Sequence, residues 1–75
     1  MFKIKDGVNP LDLGFVKKDF DYVYYGDVEG VKRMLFTVYM GASYIWYSKT
    51  SYVTEEQLKL IYEWTKNDLI EWEDI

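Results

Sequence analysis

The stretch that most constrains this chain is Val31–Met40, VKRMLFTVYM, the longest apolar-rich run in the sequence. Its β-branched and aromatic content suits a pleated surface, and both neighbouring segments can be registered against it. It reads as the central strand of a small antiparallel sheet. Phe20–Tyr25, FDYVYY, reads as the preceding strand and Tyr44–Lys49, YIWYSK, as the following one. Gly26-Asp27-Val28-Glu29-Gly30 has turn composition, and Gly41-Ala42-Ser43 reads as a three-residue turn.

A hairpin centred on Val28 places Tyr22 opposite Met34 and Phe20 opposite Phe36. The next turn places Trp46 opposite Val38 and Tyr44 opposite Met40. One face then carries Phe20, Tyr22, Tyr24, Met34, Phe36, Val38 and Trp46. The other carries Leu35, Tyr39, Ile45 and Tyr47, with Thr37 among them. Side chains alternate along a strand, so a slip of one residue would exchange the two sets. Both faces are apolar. One takes the helix; the other must be covered by the N-terminal segment or by a second chain, or stay partly wet. Leu35, Tyr39, Ile45 and Tyr47 are therefore a candidate self-association face, and a symmetric homodimer is one expectation.

The clearest local signal is at Val53–Leu58. Thr54 with Gln57 three residues on forms a capping box, with Val53 and Leu58 at the staple positions. Glu55 and Glu56 suit the positive end of a helix dipole, so a helix starts at Glu55. Leu58, Ile61, Tyr62, Thr65 and Leu69 fall on one stripe, the expected core face. Leu60 and Trp64 form a second pair off that stripe. Two endings compete. A break after Lys66 or Asn67 would free Leu69–Glu73 as a short strand, and it is favoured because Asp68 and Glu71 interrupt the apolar arc. The alternative is an unbroken helix to about Asp74.

Towards the N-terminus, Phe2 and Ile4 alternate with Lys3 and Lys5 as a short strand signal. Asn9-Pro10 followed by Leu11-Asp12-Leu13-Gly14 reads as one helical turn, Asn9 capping it and Gly14 closing it. Phe15 and Val16 would then turn inward. The fold class is α+β: a single compact domain over residues 1–75, with a three-stranded antiparallel meander and one C-terminal helix on one face. A fourth short C-terminal strand is the alternative tied to the helix break.

At 75 residues the core is small, but a fifth of the chain is aromatic, and rings bury much area per residue. The chain has neither cysteine nor histidine. That removes disulfides, Ser/His/Asp and Cys/His nucleophile systems and the usual zinc ligands. No Gly-rich phosphate loop is present. The carboxylate pairs Asp19/Asp21 and Asp27/Glu29 read as solvated edge and loop charges, and Glu71, Glu73 and Asp74 lack the spacing of a calcium loop. The expectation is a non-enzyme with no catalytic residue, cofactor or metal. The absence of cysteine fits a reducing cytoplasm, and neither a secretory leader nor a membrane span is read.

Net charge is −4, divided as +1 over residues 1–50 and −5 over 51–75. Nucleic acid is disfavoured as a partner, because phosphates call for clustered Lys and Arg. The candidate partner surface is the acidic C-terminal third: Glu55, Glu56, Glu63, Glu71, Glu73 and Asp74, with Leu60 and Trp64 as apolar anchors. A protein with a basic surface is the expected partner.

The opening Leu11-x-Leu13-Gly14-Phe15, the tyrosine-rich strands and the closing Thr54-Glu55-Glu56-Gln57-Leu58 helix together resemble the small accessory proteins of phages and prophages of Gram-positive bacteria. The resemblance implies a protein that binds, and in some cases inhibits, one host protein. It supplies no functional residues to carry over.

Overall fold

The computed structural model describes residues 1–48 and 54–74. The Val53 staple position and the end of the Tyr44–Lys49 strand at Lys49 lie outside these. The elements run β1 (Phe2–Ile4), a 3-10 turn (Pro10–Leu13), β2 (Val16–Lys18), β3 (Asp21–Val28), β4 (Val31–Val38), β5 (Ile45–Tyr47), α1 (Glu55–Lys66) and β6 (Ile70–Trp72). The fold is α+β, with a four-stranded antiparallel sheet in the order β2-β3-β4-β5 and a two-stranded β1-β6 pair.

The central strand is β4, and its partners differ from the expected register. Tyr22 pairs with Val38 and Tyr24 with Phe36, four residues along from the hairpin centred on Val28. The turn is Glu29-Gly30, with positive φ at both (53° and 78°), the conformation of a type I′ hairpin. Gly26 is not turn punctuation. It lies inside β3 because the Leu35 side chain crosses it: a Cβ there would come within 2.5 Å of Leu35 Cδ1.

That crossing belongs to a β-bulge. Tyr24 pairs with Phe36 but Tyr25 pairs with Met34, leaving Leu35 as the extra residue of β4. A bulge breaks the alternation, so Leu35 and Phe36, adjacent in sequence, are both fully buried. The even offset keeps Tyr22, Tyr24, Phe36 and Val38 on the core face as expected. Met34 is turned out by the bulge. Phe20 is exposed in the Asp19-Phe20 turn.

The β4–β5 pairing is one residue off the expected register. Val38 pairs with Ile45, Thr37 with Trp46 and Phe36 with Tyr47. Ile45 and Tyr47 therefore turn to the core face and Trp46 turns out. The fourth strand of the sheet is β2, which the sequence reading missed. Phe15 is buried as expected, but strand alternation sends Val16 to the opposite face.

The N-terminal 3-10 turn forms as read. Asn9 Oδ1 accepts the Leu11 N–H at 3.0 Å, and Gly14 closes the turn at φ 101°. The capping box also forms: Thr54 Oγ1 accepts the Gln57 N–H at 3.2 Å and Gln57 Oε1 accepts the Thr54 N–H at 2.8 Å. The helix ends at Lys66. The reversal is made by Asp68, at φ 62°, as the Leu69 N–H returns to the Trp64 carbonyl at 2.9 Å. The C-terminal strand exists, but β6 pairs with β1 instead of joining the meander. β1 is in turn held beside β5 by one bridge, Lys3 to Tyr44, and by the Ile4 N–H donating to the Ser43 carbonyl at 2.8 Å.

The helix is rotated from its expected orientation. Ile61 and Trp64 are buried at 8% and 5% exposure, with Gln57 fully buried and Leu60 packed against the core, while Leu58 and Tyr62 are 59% and 63% exposed. The core stripe is thus Gln57, Leu60, Ile61 and Trp64. Most of it sits one residue earlier than the stripe read from the sequence, a rotation of about 100°. Trp64 is the hub of an aromatic cluster, with centroids 5.6 Å from Phe15, 5.4 Å from Tyr24 and 5.3 Å from Phe36. Among the described residues, no helix is long and apolar enough to cross a membrane.

Candidate interaction surface

The eight residues read as an acidic partner surface do not form one surface. Leu60 and Trp64 belong to the core, so neither is a surface anchor. The reading failed because a glutamine in the core stripe made the Leu58–Tyr62 side look more apolar.

Glu55 and Glu56 are exposed at the start of α1. They face Glu29 of the β3–β4 hairpin across a groove of about 500 Å³ that Asp27, Val28, Thr54 and Lys59 also line. Glu29 thus brings a carboxylate from the first fifty residues beside two from the C-terminal third, while the Asp27 side chain alternates to the other face of the sheet, and the linear charge division does not carry over into space. Glu63 is exposed on the outer side of the helix.

Glu71, Glu73 and Asp74 follow the reversal after α1, on and beyond β6. Glu73 accepts from the Tyr44 hydroxyl at 2.7 Å and pairs with Lys3 Nζ at 3.3 Å, while Glu71 lies 3.7 Å from the same ammonium. The Tyr44 bond, then Lys3, holds the Glu73 carboxyl below its usual range; Glu73 in turn raises Lys3. Asp74 accepts the Trp72 indole N–H at 2.8 Å. Lys5 pairs with Asp68. Much of this acidity is therefore engaged within the protein, by lysines of the N-terminal strand. Among the described residues, no group of three or more carboxylates is arranged to hold a metal ion.

The expected self-association face is also redistributed. The bulge buries Leu35, and the one-residue slip buries Ile45 and turns Tyr47 against Phe36, centroids 5.4 Å apart. Of those four residues only Tyr39 lies on the outer face.

What occupies that face is a different set. Val16, Val23, Thr37 and Trp46 form one row across all four strands. Val23 is 3% exposed at its centre, while Val16, Tyr39 and Trp46 are each about half exposed around it. Thr37 Oγ1 donates to Met34 Sδ at 3.6 Å, and the Tyr39 and Trp46 rings meet edge to face at 6.4 Å. Lys32 Nζ lies 4.9 Å from the centre of the Tyr25 ring, a cation–π contact. At one end of the face the Met40 N–H donates to Asp21 Oδ1 at 3.3 Å, and Phe20 and Met40 are exposed in the turns there. Its charges come as cross-strand pairs, Lys18 with Asp21 and Lys32 with Asp27. The helix and the 3-10 turn pack on the other side, so no described element covers it. A signal for its edge was present in Val16-Lys17-Lys18, since lysines commonly guard the free edge of a sheet.

Comparisons with protein-family models, with curated proteins and with solved structures give no match.

Proposed function

We propose that this chain is a non-enzymatic protein–protein interaction module that meets its partner through the open face of the four-stranded sheet. The observation that carries the reading is the contiguous surface of Val16, Met34, Tyr39 and Trp46 around a buried Val23. Contiguous apolar patches of this kind mark interaction sites, and Trp, Tyr and Met are enriched where interface energy concentrates. The groove where Glu29 meets Glu55 and Glu56, with Lys59 beside them, is net acidic and supplies a field that steers a partner with a basic surface. The resemblance of the sequence to phage and prophage accessory proteins supports a host protein in the cytoplasm as that partner, and inhibition as the result of contact.

A photo-crosslinking residue at position 46 should trap the partner in host lysate, whereas one at position 62, on the exposed side of α1, should not. Trapping at position 62 alone would move the interface to the helix.

One observation favours a second reading, a structural subunit that self-associates through the same face. The Lys18/Asp21 and Lys32/Asp27 pairs leave the face without net charge, so two copies do not repel there. Tyr39→Lys should then convert dimers into folded monomers on a sizing column. A wild-type chain that elutes as a monomer at millimolar concentration removes this reading.

A further inference from the structure

We propose that the cleft between the start of β1, β5 and the end of β6 binds a quaternary ammonium group. β1 meets β5 at a single bridge, Lys3 to Tyr44, and the cleft opens where that pairing stops. It has a volume of about 330 Å³ and is lined by Met1, Phe2, Ile45, Trp46, Tyr47 and Trp72. This is the lower end of the range for small-molecule sites.

Its walls are mostly aromatic, and the outermost ring is held in place. Trp72 is 60% exposed, yet Phe2 packs edge to face against it with centroids 5.0 Å apart. The Trp72 indole N–H is already donated to Asp74 at 2.8 Å. The ring therefore offers a guest its face and no hydrogen bond. The Met1 ammonium is likewise engaged, donating to the Glu73 carbonyl at 2.7 Å.

The carboxylate placed beside the cleft wall is Asp74, 2.8 Å from the Trp72 indole nitrogen. Lys3, Glu71 and Glu73 alternate with Phe2 and Trp72 and so lie on the other side of the β1–β6 pair. Aromatic faces attract cations through their quadrupole. The kind of cation follows from hydrogen bonding. A guanidinium brings five N–H donors and a primary ammonium three, and a π-faced cleft would leave donors unpaired. A quaternary ammonium has none to satisfy. A choline-type headgroup and a trimethylated lysine both carry this group.

The site shares Trp46 with the open sheet face, but a small probe tests it without any partner. The whole chain, isotope-labelled, is titrated with choline, with N-acetyl-trimethyl-lysine amide and with neohexyl alcohol, the neutral isostere of choline. The readouts are the three indole N–H signals. Trp46 and Trp72 should shift and saturate, while Trp64, buried in the core, stays still. The alcohol should bind roughly tenfold more weakly, since only the charge has been removed. Trp72→Ala should abolish the shifts at Trp46. Asp74→Asn, which leaves every cleft wall in place, should weaken binding several-fold. The tighter of the two cations identifies the source, headgroup or modified side chain. Equal binding of alcohol and choline would make this a plain apolar cleft and overturn the proposal. So would the absence of saturation with either cation, or an Asp74→Asn chain that binds as wild type does.

Discussion

Gln57 Nε2 donates to the Leu35 carbonyl at 2.9 Å, a bond from the first turn of the helix to the bulge of the central strand. The same side chain accepts the Thr54 N–H, so one buried amide both caps α1 and fixes its position on the sheet. Gln57→Leu keeps the volume but loses both bonds. It should cost about 1–3 kcal/mol, the sum of two lost bonds of about 0.5–1.5 kcal/mol each, since the Leu35 carbonyl still accepts the Ser48 N–H at 3.0 Å. Thr54→Ala, which loses a cap alone, should cost about 1 kcal/mol. Urea melts of the two variants check the order; a larger loss for Thr54→Ala would show that the link to Leu35 contributes little.

Gly26 should not tolerate a methyl group. Its Cβ would meet the fully buried Leu35 side chain at 2.5 Å, so Gly26→Ala should lose about 1–3 kcal/mol through overpacking. Leu35→Val makes room at the contact. The double variant should therefore lose less than the two single losses together. Strict additivity in thermal melts would place the strain elsewhere.

The helix rotation predicts a sharp contrast between aromatic residues two positions apart. Trp64→Ala should cost about 3–5 kcal/mol, most of what a domain with roughly 5 kcal/mol of stability can lose. Tyr62→Ala, at an exposed site, should stay within about 0.5 kcal/mol of wild type. Denaturant midpoints showing the reverse would restore the stripe read from the sequence.

The contacts between β1 and the C-terminal strand should weaken at both ends of the pH scale. Glu73 is held below its usual value, so its contribution is present above the ordinary carboxylate range and is lost as pH falls through the lowered value. Lys3 is raised, so its contribution is present below the ordinary lysine range and is lost as pH rises through the raised value. Tyr44→Phe removes the largest cause of the Glu73 shift. Side-chain carboxyl titration by NMR should then find Glu73 moved up towards its ordinary range. A Glu73 that titrates unchanged in Tyr44→Phe would mean the hydroxyl bond does not hold it.

The chain by itself determined its local structure. The Asn9-Pro10 turn, the Thr54–Gln57 capping box and the break that frees β6 are all present, because each depends on residues within one turn of one another. The strand positions were legible for the same reason, in the run of β-branched and aromatic residues from Asp21 to Val38. The tertiary structure decided how these pieces face. Gly26 has the composition of a turn but serves as space for Leu35, which only the assembled hairpin reveals. Gln57 looks polar and is buried, because its amide has partners at Thr54 and Leu35 that are unknown before the helix docks. The one-residue slip between β4 and β5 exchanged Trp46 for Ile45 and Tyr47, and no local energy distinguishes the two registers in a segment apolar on both sides. For that reason the open face, and the cleft beside it, are properties of the pairing and not of any single stretch of sequence.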